Sequence, residues 1–215
     1  MLSEIVKNFF LFSMIIPIFI GFRNREFLTN EIKPIWFYLI LALFVQVYSV
    51  ITSYYKIQNL WLSYFYLPLE LGLIATAYIN TISNRVIRRI IKTVLYILYP
   101  LFVGTVALMY QNATKTYTVI RLAEISLFLF MALSYFYQMM QEVKVNQPEK
   151  QPFFWINTGV LFYLSGSAFP FLYFYLIGSI SKSLALIASY FHIFFLGIFY
   201  TSFAIGLWIS RKRLN

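Results

Sequence analysis

Seven apolar runs, each long enough to cross a bilayer as a helix, occupy nearly the whole chain. A spanning helix needs about 20 mostly apolar residues. Only 11% of the residues are charged, whereas a soluble domain carries roughly 25%, so the chain lacks the polar side chains to cover a water-facing surface. We predict an all-α fold: a polytopic membrane protein forming one transmembrane domain over 1–215, a seven-helix bundle with helices at about 5–22, 34–53, 59–79, 90–110, 117–140, 153–177 and 184–209.

The lysines and arginines predict the orientation of this bundle. With the N-terminus outside, twelve of the seventeen cations fall on the inner side and five on the outer side. Every inner connection carries at least two cations, and no outer turn carries more than one. Because cytoplasmic loops are enriched in Lys and Arg, we expect the N-terminus outside, the C-terminus inside, and a multi-pass protein of the cell inner membrane.

The composition also argues against several classes of function. The absence of cysteine excludes disulfides, thiolate metal sites and cysteine nucleophiles. One histidine and a few glutamates at unrelated spacings suggest no metal site, no cofactor and no catalytic residues, although a membrane enzyme stays an alternative. The net charge of +10 comes from cations that flank the apolar runs, which is typical of membrane anchors. We therefore expect the lipid bilayer, and not nucleic acid, as the chain's surroundings.

Ionisable side chains inside the predicted spans mark the candidate site. Counted from the outer helix ends at 1.5 Å per residue, Glu70 lies about 15 Å deep, His192 about 12 Å, and Gln46 and Glu124 about 10 Å. Arg121 shares a helix face with Glu124. Since isolated charges in a membrane are costly and often functional, we predict a ligand or ion layer in the outer half, made of Gln46, Glu70, Arg121, Glu124 and His192.

This layer requires the third helix to meet the second, fifth and seventh. The alternative is that these side chains only fix which helices pair, because polar contacts between membrane helices commonly do so.

The sixth run carries a second set of informative residues. Gly159 and Gly166 lie on one helix face, and small residues let another helix approach closely. Pro170 in this run and Pro68 in the third are predicted to kink their helices or shape their packing. Asn157 lies near the inner end and is expected to bond a neighbouring helix.

Three stretches resemble a family of small seven-helix membrane proteins, of no assigned activity, that are common in Bacteroidota-type bacteria. They are FYLPLELGL in the third run, PFFWINTGVLFYLSGSAF in the sixth, and the ending IGLWISRKR. Members of that family look like companions of signalling systems such as histidine kinases. The resemblance implies a sensory or accessory role and assigns no activity to any residue of this chain.

These observations lead to one functional hypothesis and two alternatives. The first is a membrane sensor or accessory protein that binds a small or lipidic ligand in the outer half of the bundle. It would signal to a cytoplasmic or membrane partner through its basic inner loops. The second is a small-solute or proton-coupled transporter, and the third is a structural subunit of a membrane complex.

Overall fold

The described part of the chain is helical and contains no strand. The computed structural model describes the backbone of residues 13–59, 61–107, 113–141, 147–176 and 182–212, and the side chains of 13–59, 61–63, 65–100, 103–104, 119–141, 147–168 and 186–211. These residues form seven α-helices: α1 Ile15–Arg23, α2 Lys33–Tyr54, α3 Trp61–Thr81, α4 Arg85–Ala107, α5 Ala113–Gln141, α6 Pro152–Leu176 and α7 Lys182–Lys212. Short 3₁₀ helices, Arg25–Phe27 and Pro148–Lys150, precede α2 and α6.

The all-helical prediction is confirmed, and each helix overlaps one predicted run in the same order. The predicted start of the first helix, near residue 5, lies outside the described residues. Four stretches of the described chain are long and apolar enough to cross a membrane: Lys33–Tyr54, Trp61–Thr81, Val119–Gln141 and Leu186–Arg211. The chain is therefore a helical protein with the composition of a membrane protein.

Local side-chain hydrogen bonds stabilise the start of α4 and the turn between α2 and α3. Asn84 caps α4, because its Oδ1 accepts hydrogen bonds from the backbone N–H groups of Val86 at 2.9 Å and Ile87 at 3.2 Å. In the turn from α2 to α3, Asn59 Nδ2 donates to Thr52 Oγ1 at 2.9 Å. That turn is short, so α2 and α3 pack side by side with opposite directions.

Two long-range hydrogen bonds bring several connections to the same end of the bundle. Asn24 Nδ2 donates to the carbonyl oxygen of Leu207 at 3.1 Å, which ties the connection after α1 to the end of α7. The backbone N–H of Asn84 donates to Gln138 Oε1 at 3.1 Å, which ties the turn after α3 to the end of α5. We call this the basic end, because it carries most of the described cations: Arg23, Arg25, Lys33, Arg85, Arg88, Arg89, Lys92, Lys150 and Arg211.

Among the described helices, α6 and α7 share the most extensive contact, and glycines take the place of larger side chains there. A Cβ atom on Gly159 would lie 2.7 Å from the Cβ of Ser202, and one on Gly206 would lie 2.7 Å from the carbonyl oxygen of Pro152. Gly166 packs directly against the ring of Phe195. These glycines let the two backbones approach, as small residues do between membrane helices.

The two prolines singled out from the sequence lie inside helices. Pro68 lies within α3, and its carbonyl oxygen accepts a hydrogen bond from the Tyr99 hydroxyl of α4 at 3.2 Å. The bond joins α3 to α4 just before Glu70. Pro170 falls within α6, and its side chain lies outside the described residues.

Apolar side chains occupy both the inside and the outside of the bundle. Leu39, Leu71, Met131, Ile156 and Phe203, from five different helices, belong to one buried core. Large apolar side chains on the opposite helix faces are more than half exposed: Phe19, Phe44, Phe65, Leu133 and Phe194. An apolar surface of this extent on a soluble protein would mark an interaction site, and on helices of spanning length it is the surface expected to face lipid.

Candidate functional site

Three ionisable side chains meet in the interior of the bundle. Arg121 Nη1 lies 2.5 Å from Glu70 Oε2, and the same nitrogen is ion-paired with Glu124 Oε2. Glu70 comes from α3, whereas Arg121 and Glu124 lie three residues apart on α5 and so share a helix face. The three residues are 2%, 9% and 0% exposed, in the order Glu70, Arg121, Glu124. We call them the Arg–Glu centre.

The centre lies near the middle of α3. Glu70 follows Trp61 by nine residues and precedes Thr81 by eleven, which places it about 14 Å and about 17 Å from the two helix ends at 1.5 Å per residue. A bilayer hydrocarbon core is roughly 30 Å thick. Glu70 therefore lies near the midpoint of a helix that is long and apolar enough to cross such a core.

The charges of the centre do not balance when both glutamates are ionised. One guanidinium faces two carboxylates, so the three side chains would carry one net negative charge. Burying an uncompensated charge in a low-dielectric interior costs several kcal/mol. Within the described residues, Glu124 Oε1 is buried and has no hydrogen-bond partner. The centre therefore has a structural place for one additional proton or one small cation.

The space beside these side chains is small. The cavity is lined by the Arg–Glu centre together with Tyr38 of α2 and Tyr163 of α6, and its volume is about 10 Å³. A cavity needs roughly 10–15 Å³ to hold one water molecule. In this conformation the centre admits a proton or about one water molecule. The predicted small or lipidic ligand would enter only if the helices moved apart.

A chain of polar side chains leads from the centre to His192. Tyr163 lies within side-chain hydrogen-bonding reach of both Arg121 and Ser167. Ser167 Oγ and His192 Nδ1 are hydrogen-bonded at 3.2 Å, and the rings of Tyr163 and His192 are 5.6 Å apart. We call Tyr163, Ser167 and His192 the histidine branch. His192 is half-buried, so the branch connects the interior of the bundle with its periphery.

The structure brings together three members of the predicted layer and separates the other two. Glu70, Arg121 and Glu124 are in direct contact. His192 is linked to them through Tyr163 and Ser167 of α6. The seventh helix nevertheless approaches the third at the layer, through Phe199, which lines the same cavity as Glu70.

Gln46 does not belong to the site. It is half-buried, and α2 instead contributes Tyr38 to the cavity beside the centre. Gln46 lies eight residues beyond Tyr38, which is about 12 Å along the helix axis. The prediction assumed that equal depth from a helix end means equal height in the bundle, and α2 is shifted along its axis relative to α3.

Sequence reasoning missed Tyr163 and Ser167 as members of the site. They lie four residues apart on α6, which is the spacing that places two hydroxyl groups on one helix face. That spacing was a usable signal. It gained meaning only once α6 was placed between α5 and α7.

A second buried polar contact lies closer to the basic end. The Tyr78 hydroxyl of α3 donates to Asn157 Oδ1 of α6 at 2.6 Å, and Asn157 Nδ2 donates to the carbonyl oxygen of Ala132 of α5 at 3.3 Å. Asn157 therefore joins three helices through neutral groups, as a residue that fixes helix pairing is expected to do. We call Tyr78 and Asn157 with the Ala132 carbonyl the asparagine contact.

The described side chains include no group of three or more His, Cys, Asp or Glu that could hold a metal ion. Glu70 and Glu124 both pair with Arg121. No protein-family model, curated protein or solved structure matches the chain.

Proposed function

We propose that this protein is a multi-pass membrane sensor or accessory protein whose conformation responds to the uptake of one proton at the Arg–Glu centre. The observation that carries the proposal is the pairing of one buried guanidinium with two buried carboxylates, one of which keeps an oxygen without a partner among the described residues. A proton is the one ligand that balances this charge and needs no additional space.

The mechanism follows from the position of Arg121 between two helices. With both carboxylates ionised, Arg121 binds Glu70 of α3 and Glu124 of α5 together. When one glutamate gains a proton, its ion pair with Arg121 becomes a hydrogen bond from the guanidinium to an uncharged carboxyl group, which is weaker because the attraction between opposite charges is lost. The attachment of α3 to α5 then changes. Both helices run on to the basic end, where Gln138 of α5 already bonds the turn after α3.

The output of this change would be read at the basic end. Cytoplasmic loops of membrane proteins are enriched in Lys and Arg, so we assign the basic end to the cytoplasm and all seven helices to one bundle in the inner membrane. A cytoplasmic or membrane signalling partner would contact this end. The resemblance to companions of histidine kinases is consistent with that arrangement.

Infrared difference spectroscopy on a pH change tests proton uptake directly. The purified wild-type protein is expected to show a carboxylic acid C=O band that shifts in heavy water. Glu70→Gln or Glu124→Gln should remove it. Glu149→Gln serves as the matched control, because Glu149 is an exposed glutamate in the short helix before α6. A pH-dependent spectrum identical in wild type and both centre variants would overturn the proposal.

Spin labels test whether proton uptake moves the helices. The chain has no cysteine, so labels attach only at introduced positions such as Thr76→Cys on α3 and Met140→Cys on α5, both exposed. We expect the distance distribution between the labels to change with pH in the wild-type background and to stay constant with Glu124→Gln. A distance distribution that does not change with pH in either background would contradict the proposal and show that the centre is only a structural ion pair.

A proton-coupled transporter is the second candidate, and the histidine branch favours it. A half-buried histidine linked to the centre through Ser167 and Tyr163 supplies one limb of a proton path. Transport predicts proton or solute flux into proteoliposomes that Glu124→Gln abolishes. The sensor predicts the spectral and distance changes without flux, so a pH-sensitive dye inside the vesicles separates the two candidates.

A further inference from the structure

A second, larger cavity opens at the basic end of the bundle. It lies between the connection after α1, the turn after α3, the end of α5 and the start of α6, and its volume is about 260 Å³. Thr81, Gln138 and Gln151 provide neutral polar groups on its walls. This basic-end cavity approaches the size of small-molecule sites, which begin near roughly 300 Å³, and it is separate from the Arg–Glu centre.

The charge of this cavity is opposite to that of its surroundings. Glu31 is the one charged residue that lines it among the described residues, although most of the described cations lie at this end of the bundle. Glu31 is half-buried, and no ion pair joins it to a cation in the described ranges. A carboxylate in a recess of a basic surface attracts a small cation that fits the recess, because its field is strengthened by the low-dielectric walls.

Aromatic rings form another wall of the cavity. Tyr135 and Phe153 both line it, and their ring centroids are 5.2 Å apart in an edge-on arrangement. Phe153 also packs edge-on against Tyr78, again with centroids 5.2 Å apart, so its ring is fixed from two sides. A fixed aromatic wall and a carboxylate in the same cavity are the combination that recognises ammonium groups, through charge pairing and cation–π contact.

We propose that the basic-end cavity binds a small primary ammonium group through Glu31, with Tyr135 and Phe153 as its aromatic wall. Two sources supply this chemistry at a membrane surface: the ethanolamine headgroup of a phospholipid and a water-soluble amine. The proposal does not depend on proton uptake at the Arg–Glu centre, because the two sites have no lining residue in common.

Titration with ethanolammonium chloride tests the proposal on the whole protein in nanodiscs made of phosphatidylcholine and phosphatidylglycerol. The wild type is expected to show saturable binding, measured as a concentration-dependent rise in melting temperature, and ethylene glycol of the same concentration should give none. Glu31→Gln should weaken binding about tenfold, the loss expected for one charge-assisted hydrogen bond. Glu26→Gln is the matched control, since Glu26 is exposed in the neighbouring short helix.

Nanodiscs that contain phosphatidylethanolamine identify the source of the ammonium group. If the headgroup is the ligand, this lipid raises the melting temperature of the wild type but not of Glu31→Gln, and it reduces the response to ethanolammonium. If a soluble amine is the ligand, the lipid has no effect and ethanolammonium still binds. Either result supports the site.

Three results would overturn the proposal. The first is the absence of both ethanolammonium binding and a lipid effect in the wild type. The second is equal binding to wild type and Glu31→Gln. The third concerns Lys144, which lies outside the described residues: if Lys144→Gln raises the affinity for ethanolammonium tenfold or more, a lysine of this chain is the occupant. Unchanged affinity in Lys144→Gln supports binding of an external amine.

Discussion

The Arg–Glu centre and the asparagine contact both hold helices together, but they do so with different chemistry. Both lie in the interior, and both join α3 to α5. The asparagine contact uses neutral groups, and each of its two bonds has one donor and one acceptor. The centre uses three ionisable groups with unequal numbers of positive and negative charges, and it leaves Glu124 Oε1 without a partner among the described residues.

The comparison shows that the asparagine contact is sufficient for a structural role and that the Arg–Glu centre is not needed for it. Neutral hydrogen bonds between membrane helices are worth about 0.6 kcal/mol on average and are sufficient to specify helix pairing. A buried charged triad is costlier to form and gives little stability in return. Since the chain already fixes α3, α5 and α6 with the asparagine contact, helix pairing alone gives no reason for a second glutamate at the centre.

The largest expected effect comes from removing both carboxylates. The double variant Glu70→Gln with Glu124→Gln leaves Arg121 buried without a counter-ion, and breaking a buried ion pair in this way costs about 3–5 kcal/mol. Each single variant leaves one carboxylate on Arg121. We expect it to change the free energy of unfolding by less than about 1 kcal/mol, since it removes the excess charge.

Reversible unfolding of the purified variants in mixed micelles measures both quantities. Glu149→Gln together with Glu26→Gln is the control for two exposed glutamates. A double variant as stable as the singles would show that Arg121 does not need either glutamate. If the free energy of unfolding of each single variant falls by the full amount of about 3–5 kcal/mol, neither carboxylate is in excess.

The asparagine contact should respond to a single change with a smaller loss. Tyr78→Phe removes the hydroxyl and leaves Asn157 Oδ1 buried without its donor, which costs about 1–3 kcal/mol. No charge is involved, so the loss should be the same at every pH at which the protein is folded. Unfolding measurements on Tyr78→Phe at several pH values test this. A loss that varies with pH would remove the contrast between the two contacts.

The helices were predictable from the sequence because a backbone in lipid must satisfy its own hydrogen bonds, which makes each long apolar run a helix. The contact of Glu70, Arg121 and Glu124 was predictable for a similar reason, since each charge is costly alone. Which helices pack next to one another was not predictable. Apolar faces that meet lipid and apolar faces that meet another helix carry the same side chains, so the sequence does not show that α6 separates α5 from α7.

The misplacement of Gln46 has a specific physical cause. Depth within a helix can be counted from the sequence, but the axial shift between neighbouring helices depends on side-chain packing and connection length. Asn59, just before α3, bonds Ser49 and Thr52, so α3 begins beside residues inside α2 and not beside its last residue. The level of α2 relative to α3 is therefore tied to side-chain contacts that have no signal in the sequence.

The smallest expected effect on stability belongs to the histidine branch, and it decides what the branch does. Tyr163→Phe keeps the ring and its 4.9 Å packing on Phe199, but it removes the hydroxyl between Arg121 and Ser167. We expect a change in unfolding free energy of about 1 kcal/mol or less and a marked slowing of proton exchange at the centre, because the branch offers a polar route for the proton. Time-resolved infrared spectroscopy after a pH jump measures that rate, and His192→Gln should slow it as well. An exchange rate unaffected by both substitutions would mean that protons reach the Arg–Glu centre by another route and that the branch, like the asparagine contact, serves packing.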